Sequence, residues 1–168
     1  YNFIPHIPVI MVEYLIIDLP PGTGGVQITL CQKIPVSGAI IVTTPQDISL
    51  IDARKGLKMF EKVEVPVLGI VENMSTHVCK KCGHIESIFG EGGGEQLASE
   101  AGVKLLGELP LEKQIREEMD KGTPTVSSNP MDPASLAYRE IARKMTATLS
   151  MRKKDYSSAF PKIVIQND

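Results

Sequence analysis

The segment Tyr14-Leu15-Ile16-Ile17-Asp18-Leu19-Pro20-Pro21-Gly22-Thr23-Gly24 runs apolar residues straight into an aspartate, then into two prolines and two glycines. A short continuous apolar run bounded by Pro and Gly predicts a strand buried on both faces, the signature of a parallel sheet. Pro20, Pro21 and Gly22 keep a helix from starting at once, so the chain leaves the strand as a shaped loop. Asp18 then stands at the carboxyl end of the strand, where an open α/β sheet binds its ligand. In P-loop nucleotide hydrolases an aspartate so placed holds Mg²⁺ beside the phosphates. The alternative reading is a plain strand, a turn and a solvated aspartate.

Working outward, further apolar runs end in polar residues. They are Gly38–Thr44, Pro66–Glu72 ending at Asn73, and Val103–Leu109 ending at Pro110. Helical segments are predicted between them. One runs from Val26 to Lys33 and one from Asp47 or Ser49 to about Lys62, its Ile48, Ile51, Leu57 and Phe60 at helical spacing. Others cover Gly92–Ala101, Leu111–Lys121 and a last helix to about Leu149, with Asp132 as N-cap and Pro133 at its first position. Strands alternating with helices predict an α/β domain, a mostly parallel sheet with helices on both faces. That sheet would gather Asp18, Thr43 and Thr44, Asn73 and Pro110 at one edge. Residues 1–13 read as an irregular lead-in, 14–149 as the domain, and 150–168 as a tail.

The chain has 168 residues, enough for one domain with a real core. Its net charge of −2 argues against a general nucleic-acid binder, and no apolar run reaches the length of a membrane span. The start lacks the basic region and cleavage site of a signal peptide. Three cysteines fit a reducing, cytoplasmic setting rather than a disulfide framework.

Two of those cysteines form Cys79-Lys80-Lys81-Cys82-Gly83-His84. Two thiolates at this spacing can face one metal, with the glycine turning the backbone beneath it. The remaining ligands have two sources. His77 and His84 could complete a zinc knuckle within the chain. Alternatively, two copies could each give a pair across a two-fold axis, holding zinc or an iron–sulfur cluster. Lys80 and Lys81 would favour the thiolate form. Cys31, in an apolar helical segment, reads as a core thiol. Gly90-Glu91-Gly92-Gly93-Gly94 follows no buried strand and precedes no Lys-Ser/Thr, so it reads as a turn into a helix rather than a phosphate loop.

Taken together, these residues resemble the Mrp/ApbC family of iron–sulfur cluster carriers, within the MinD/ParA class of deviant P-loop ATPases. The resemblance runs from Tyr14 to about Leu149. It rests on the Asp18–Gly24 segment, Thr43-Thr-Pro-Gln-Asp47, Asp52-Ala-Arg-Lys-Gly56, Asn73-Met-Ser75, Cys79-x-x-Cys82-Gly83, Phe89–Gly94 and Gly107-Glu-Leu-Pro-Leu111. It implies that Asp18 is the Mg²⁺ and switch aspartate, with Gly22 in the nucleotide loop and Asn73 and Pro110 near the adenine of Mg-ATP. It also implies that Cys79 and Cys82 hold half of a [4Fe–4S] cluster bridging a homodimer, for ATP-modulated transfer to acceptor apoproteins. Two departures stand out. The family's phosphate loop, preceded by a central strand, lies upstream of the Asp18 segment, and this sequence contains no G-x-x-x-x-G-K-[ST], with only 13 residues before Tyr14. The family's aspartate after Gly24 is Gly25 here. The sheet is therefore expected to be N-terminally incomplete, and ATP binding or hydrolysis by this chain alone weak or absent. Two rival readings are a MinD/ParA-like positioning ATPase, which needs no cysteine loop, and a non-enzymatic zinc-binding interaction module.

Overall fold

In the computed structural model, residues 13–20, 22, 24–79 and 81–152 are described. The lead-in before residue 13 and nearly all of the 150–168 tail lie outside them. The elements are α1 (Gly25–Lys33), β1 (Ala39–Thr43), α2 (Asp47–Lys62), β2 (Val67–Glu72), β3 (His77–Val78), β4 (Ile85–Glu86), α3 (Gly93–Ala101), β5 (Leu105–Glu108), α4 (Lys113–Asp120), α5 (Thr125–Ser128) and α6 (Pro133–Ser150). The main sheet has the order β1-β2-β5, and both pairings are parallel. A second, antiparallel pair, β3-β4, carries the cysteines and was not predicted. Two-residue strands are too short to show a hydrophobic period.

Alternation along the strands gives the sheet two covered faces. Ile41 and Ile70 turn toward Leu50, Met59, Phe60, Leu97 and Ala98 of α2 and α3, with Leu19, Ile28 and Cys31 packed at the margin. Val71 and Leu106 turn the other way, toward Ala137, Tyr138, Ile141 and Met145 of α6. The helices therefore lie on both faces, as the strand–helix alternation predicts. Helix α6 starts as its sequence dictates: Asp132 Oδ1 accepts from Ala134 N at 2.9 Å, and Pro133 sits in the first turn, where its missing N–H costs nothing.

The expected strand at Tyr14–Asp18 does not form. The segment has no regular structure, and Leu15 and Ile16 are each 72% exposed. An apolar run becomes a strand only when a neighbour takes its backbone N–H and C=O groups. Among the described residues nothing flanks β1 on that side, and Val42 on β1 is itself 61% exposed.

Candidate functional site: the cysteine turn and the strand-end edge

The carboxyl ends of the three strands are laced together. Asn73 N donates to Thr43 O at 2.7 Å, and Leu109 N donates to Glu72 O at 2.8 Å. Thr43, Asn73 and the segment around Pro110 thus share one edge, as the parallel topology requires. Asn73 is half-buried, and its Oδ1 accepts from Met74 N at 2.9 Å, bracing Met74 in a left-handed conformation, φ 56°. Pro110 is half-buried and follows the buried Leu109.

Asp18 is not delivered to this edge by a strand, which corrects the sequence expectation. It lies exposed on the unpaired segment, because the strand that would aim it is absent. Gly22 follows in the left-handed region, φ 96°, with open space where a side chain would stand. Its loop is closed from behind by the buried Gln27, whose Nε2 donates to Pro20 O at 2.9 Å and to Gly22 O at 3.1 Å.

The glycine run turns the chain into α3, as its sequence context predicts, and the structure adds a packing role. Gly92 takes the left-handed conformation at the N-cap of α3, φ 72°. A Cβ on Gly93 would meet Pro45 O at 2.8 Å, and one on Gly94 would meet Glu72 Cβ at 2.8 Å. These close approaches let α3 settle on the sheet end with Gly94 N donating to the buried carboxylate of Glu72. Glu72 is a site residue that sequence reasoning passed over as the end of a strand. Burial pushes its carboxyl above the usual range; the Gly94 bond pulls down, and Glu108, its neighbour in register, pushes up again. The signal available was a carboxylate ending an apolar run, with a Gly-Gly pair following.

Between β2 and α3 the chain makes its cysteine excursion. Strands β3 and β4 pair His77 with Glu86 and Val78 with Ile85. The turn is closed by Cys79 N donating to His84 O at 2.9 Å and Gly83 N donating to Cys79 O at 2.8 Å. Gly83 sits at φ 71°, a conformation costly for other residues. The Cys79 thiol is favoured in its ionised form by the backbone N–H groups of Cys82 and Lys81 and by the Cys82 thiol. These donors, led by Cys82 N–H and joined by the charge of His77, hold the Cys79 thiol below the usual cysteine range. Among the described residues the lowering comes first from backbone N–H groups, that of Lys81 among them. Lys80 lies outside the described residues. Cys79 is half-buried and Cys82 exposed, whereas Cys31 is half-buried against the core, where burial raises its thiol.

The in-chain zinc knuckle is not assembled. His77 turns its Nδ1 to Leu111 O at 2.9 Å. Among the described residues no group of three or more His, Cys, Asp or Glu side chains could hold a metal ion.

A family model described as ParA, the NUBPL iron-transfer P-loop NTPase, matches residues 2–146. The chain belongs to this family. The iron-sulfur cluster carrier protein of Escherichia coli K12 is 60% identical over 137 residues, covering 82% of this chain and 37% of that protein. The iron-sulfur cluster transfer protein NUBPL of Mus musculus is 50% identical over 137 residues, covering 82% of this chain and 43% of the relative. The chain thus spans well under half the length of these curated relatives. A nucleotide-binding protein of Archaeoglobus fulgidus, solved in complex with ADP, superposes with a TM-score of 0.60 at 33% identity, over 71% of this chain and 48% of that one. The cell-division protein MinD of Aquifex aeolicus shares the fold, with a TM-score of 0.53 at 24% identity over 73% of this chain and 48% of that chain.

Proposed function

We propose that this chain binds an iron–sulfur cluster as cargo and passes it to acceptor apoproteins. The cargo is held as [4Fe–4S] by Cys79 and Cys82 of two copies related by a two-fold axis. The observation that carries this reading is the turn itself. It presents two cysteines on one hairpin turn, Cys79 with its thiol held low and Cys82 exposed, and among the described residues no group of three or more His, Cys, Asp or Glu side chains is assembled there. A cluster needs four thiolates, and a second copy supplies the other pair without recruiting histidine. Exposure suits cargo that must leave; a structural zinc site would be closed. The carrier and transfer proteins among the relatives support the same reading. Free thiols in such a role imply a reducing compartment. No helix among the described residues is long and apolar enough to cross a membrane.

Mg-ATP does not fit the described residues. Asn73 and Pro110 stand at the edge where a base could lie, but Asp18 is exposed on an unpaired segment and the sequence has no phosphate-loop lysine. A triphosphate there would lack matched donors. Hydrolysis is therefore no part of the function proposed for this chain alone.

Anaerobic reconstitution with iron and sulfide tests the reading. The wild type turns brown, Cys79→Ala and Cys82→Ala stay colourless, and Cys31→Ala behaves as wild type. A colourless wild type holding stoichiometric zinc would instead establish the interaction module. Loss of the cluster in Cys31→Ala with retention in Cys82→Ala would overturn the ligand assignment.

A further inference from the structure

The cysteine hairpin is fastened to the end of β5 by a short ladder that neither main sheet nor hairpin includes. Ser75 N and Ser75 Oγ both donate to Leu109 O, at 3.0 and 3.1 Å. Leu111 N donates to Thr76 O at 2.7 Å. The last rung is His77 Nδ1 to Leu111 O at 2.9 Å. A carbonyl oxygen can only accept, so Nδ1 carries the proton and donates. Ser75 is buried and His77 half-buried, so the ladder is shielded along most of its length. Its two sides are 34 residues apart in sequence. On the other side of the excursion, the Glu72–Gly94 bond draws the two roots together where the chain leaves β2 and enters α3.

We infer that His77 is a positioning residue for Cys79. By locking β3 to Leu111, the ladder makes the cysteine turn and the loop around Pro110 one mechanical unit. The hairpin by itself cannot do this. Strands of two residues give few bonds, and an isolated hairpin of that size is marginal in water. The orientation of Cys79, two residues beyond His77, is therefore set from outside the hairpin. Whatever displaces Leu109–Leu111 at the strand-end edge is felt at the thiol. The inference deepens the cargo reading above, and for its cluster arm it rests on that reading.

Three variants in the full chain test it. His77→Phe keeps a planar ring and removes the donor. His77→Asn keeps an N–H close to the Nδ1 position. Ser75→Ala removes the Oγ rung. Amide exchange of Leu111 reads the ladder directly, and exchange of Ile70 verifies that the core is intact. Alkylation of Cys79 in the apo protein reads the hold on the thiol without any cluster. The visible circular dichroism and the release rate to a chelator read it with cluster bound. In His77→Phe we expect Leu111 exchange, Cys79 alkylation and cluster release each to change about fivefold, the equivalent of one neutral hydrogen bond, and the dichroism to alter. His77→Asn should return toward wild type, and Ser75→Ala should fall between. If Leu111 exchange accelerates in His77→Phe while Cys79 alkylation and the cluster readouts stay at wild-type values, the ladder does not position Cys79. Unchanged Leu111 exchange would likewise overturn the inference. A wild type that takes up no cluster sinks the cargo reading alone, and the alkylation arm then decides the ladder.

Discussion

At the scale of single residues, burial decides what Glu72 does. Its carboxyl sits above the usual range because desolvation outweighs the Gly94 N–H, and Glu108 adds to the rise. A carboxyl raised in the folded state binds its proton more tightly there than in the unfolded chain. The associated stability is present at pH below the ordinary carboxylate range and is lost as pH rises through the folded value. Glu72→Gln keeps an oxygen for Gly94 N and cannot ionise. Its urea midpoint should match or exceed wild type near neutral pH, and the gap should narrow as pH falls toward about 4. Glu72→Ala should lose about 2–4 kcal/mol, from the orphaned Gly94 N–H and the cavity together. A Glu72→Gln midpoint well below wild type at neutral pH would show that the ionised form is the stabilising one.

Among the elements, α3 is placed by what its first turn lacks. At Gly94 a methyl group would meet Glu72 Cβ at 2.8 Å, Glu72 Oε2 at 3.0 Å and Leu105 Cδ1 at 3.2 Å. Gly94→Ala should therefore destabilise by roughly 1–3 kcal/mol despite alanine's better helix propensity, because the packing clash outweighs the propensity gain. Chemical denaturation measures this, and a stabilised Gly94→Ala protein would refute the close-approach argument. Helix α6 offers the opposite case, where local chemistry suffices. Removing the cap with Asp132→Ala should cost about 1 kcal/mol by the same measurement, since only the Ala134 N–H loses its partner. Cysteine chemistry should be untouched in that variant.

For the whole molecule, the incomplete ligand set makes assembly the observable. With two thiols in the turn and three in the whole sequence, a cluster bound through four thiolates requires two chains. Sedimentation of the apo protein should give a smaller species than the reconstituted one, with about two iron atoms per chain in the brown dimer and reversion on chelation. A brown protein that sediments as a monomer would show that ligands come from within one chain, against the arrangement proposed here. The exposed Tyr14–Ile17 segment bears on the same experiment, because apolar patches of this kind promote contacts unrelated to the cysteines. For that reason the comparison must include Cys82→Ala, which should not dimerise on reconstitution.

Local patterns settled much of this protein in advance. The runs at 38–44, 66–72 and 103–109, the Asp132-Pro133 start of α6 and the Cys79-x-x-Cys82 turn are all written in neighbouring residues, and each forms where its pattern predicts. Hydrophobic period, capping and turn chemistry act over a few residues, so they can be read without knowing the rest of the fold. Tertiary structure decided the remainder. Tyr14–Asp18 has the composition of a buried strand yet lies exposed, because a strand's hydrogen bonds belong to its neighbour and not to itself. Glu72 looks like any polar strand end until α3 closes over it. His77 looks like a loop residue, or a metal ligand, until Leu111 is brought to its ring from 34 residues away. A sequence pattern can state what a segment is able to form, but pairing, burial and distant contacts are set by the partners the fold supplies.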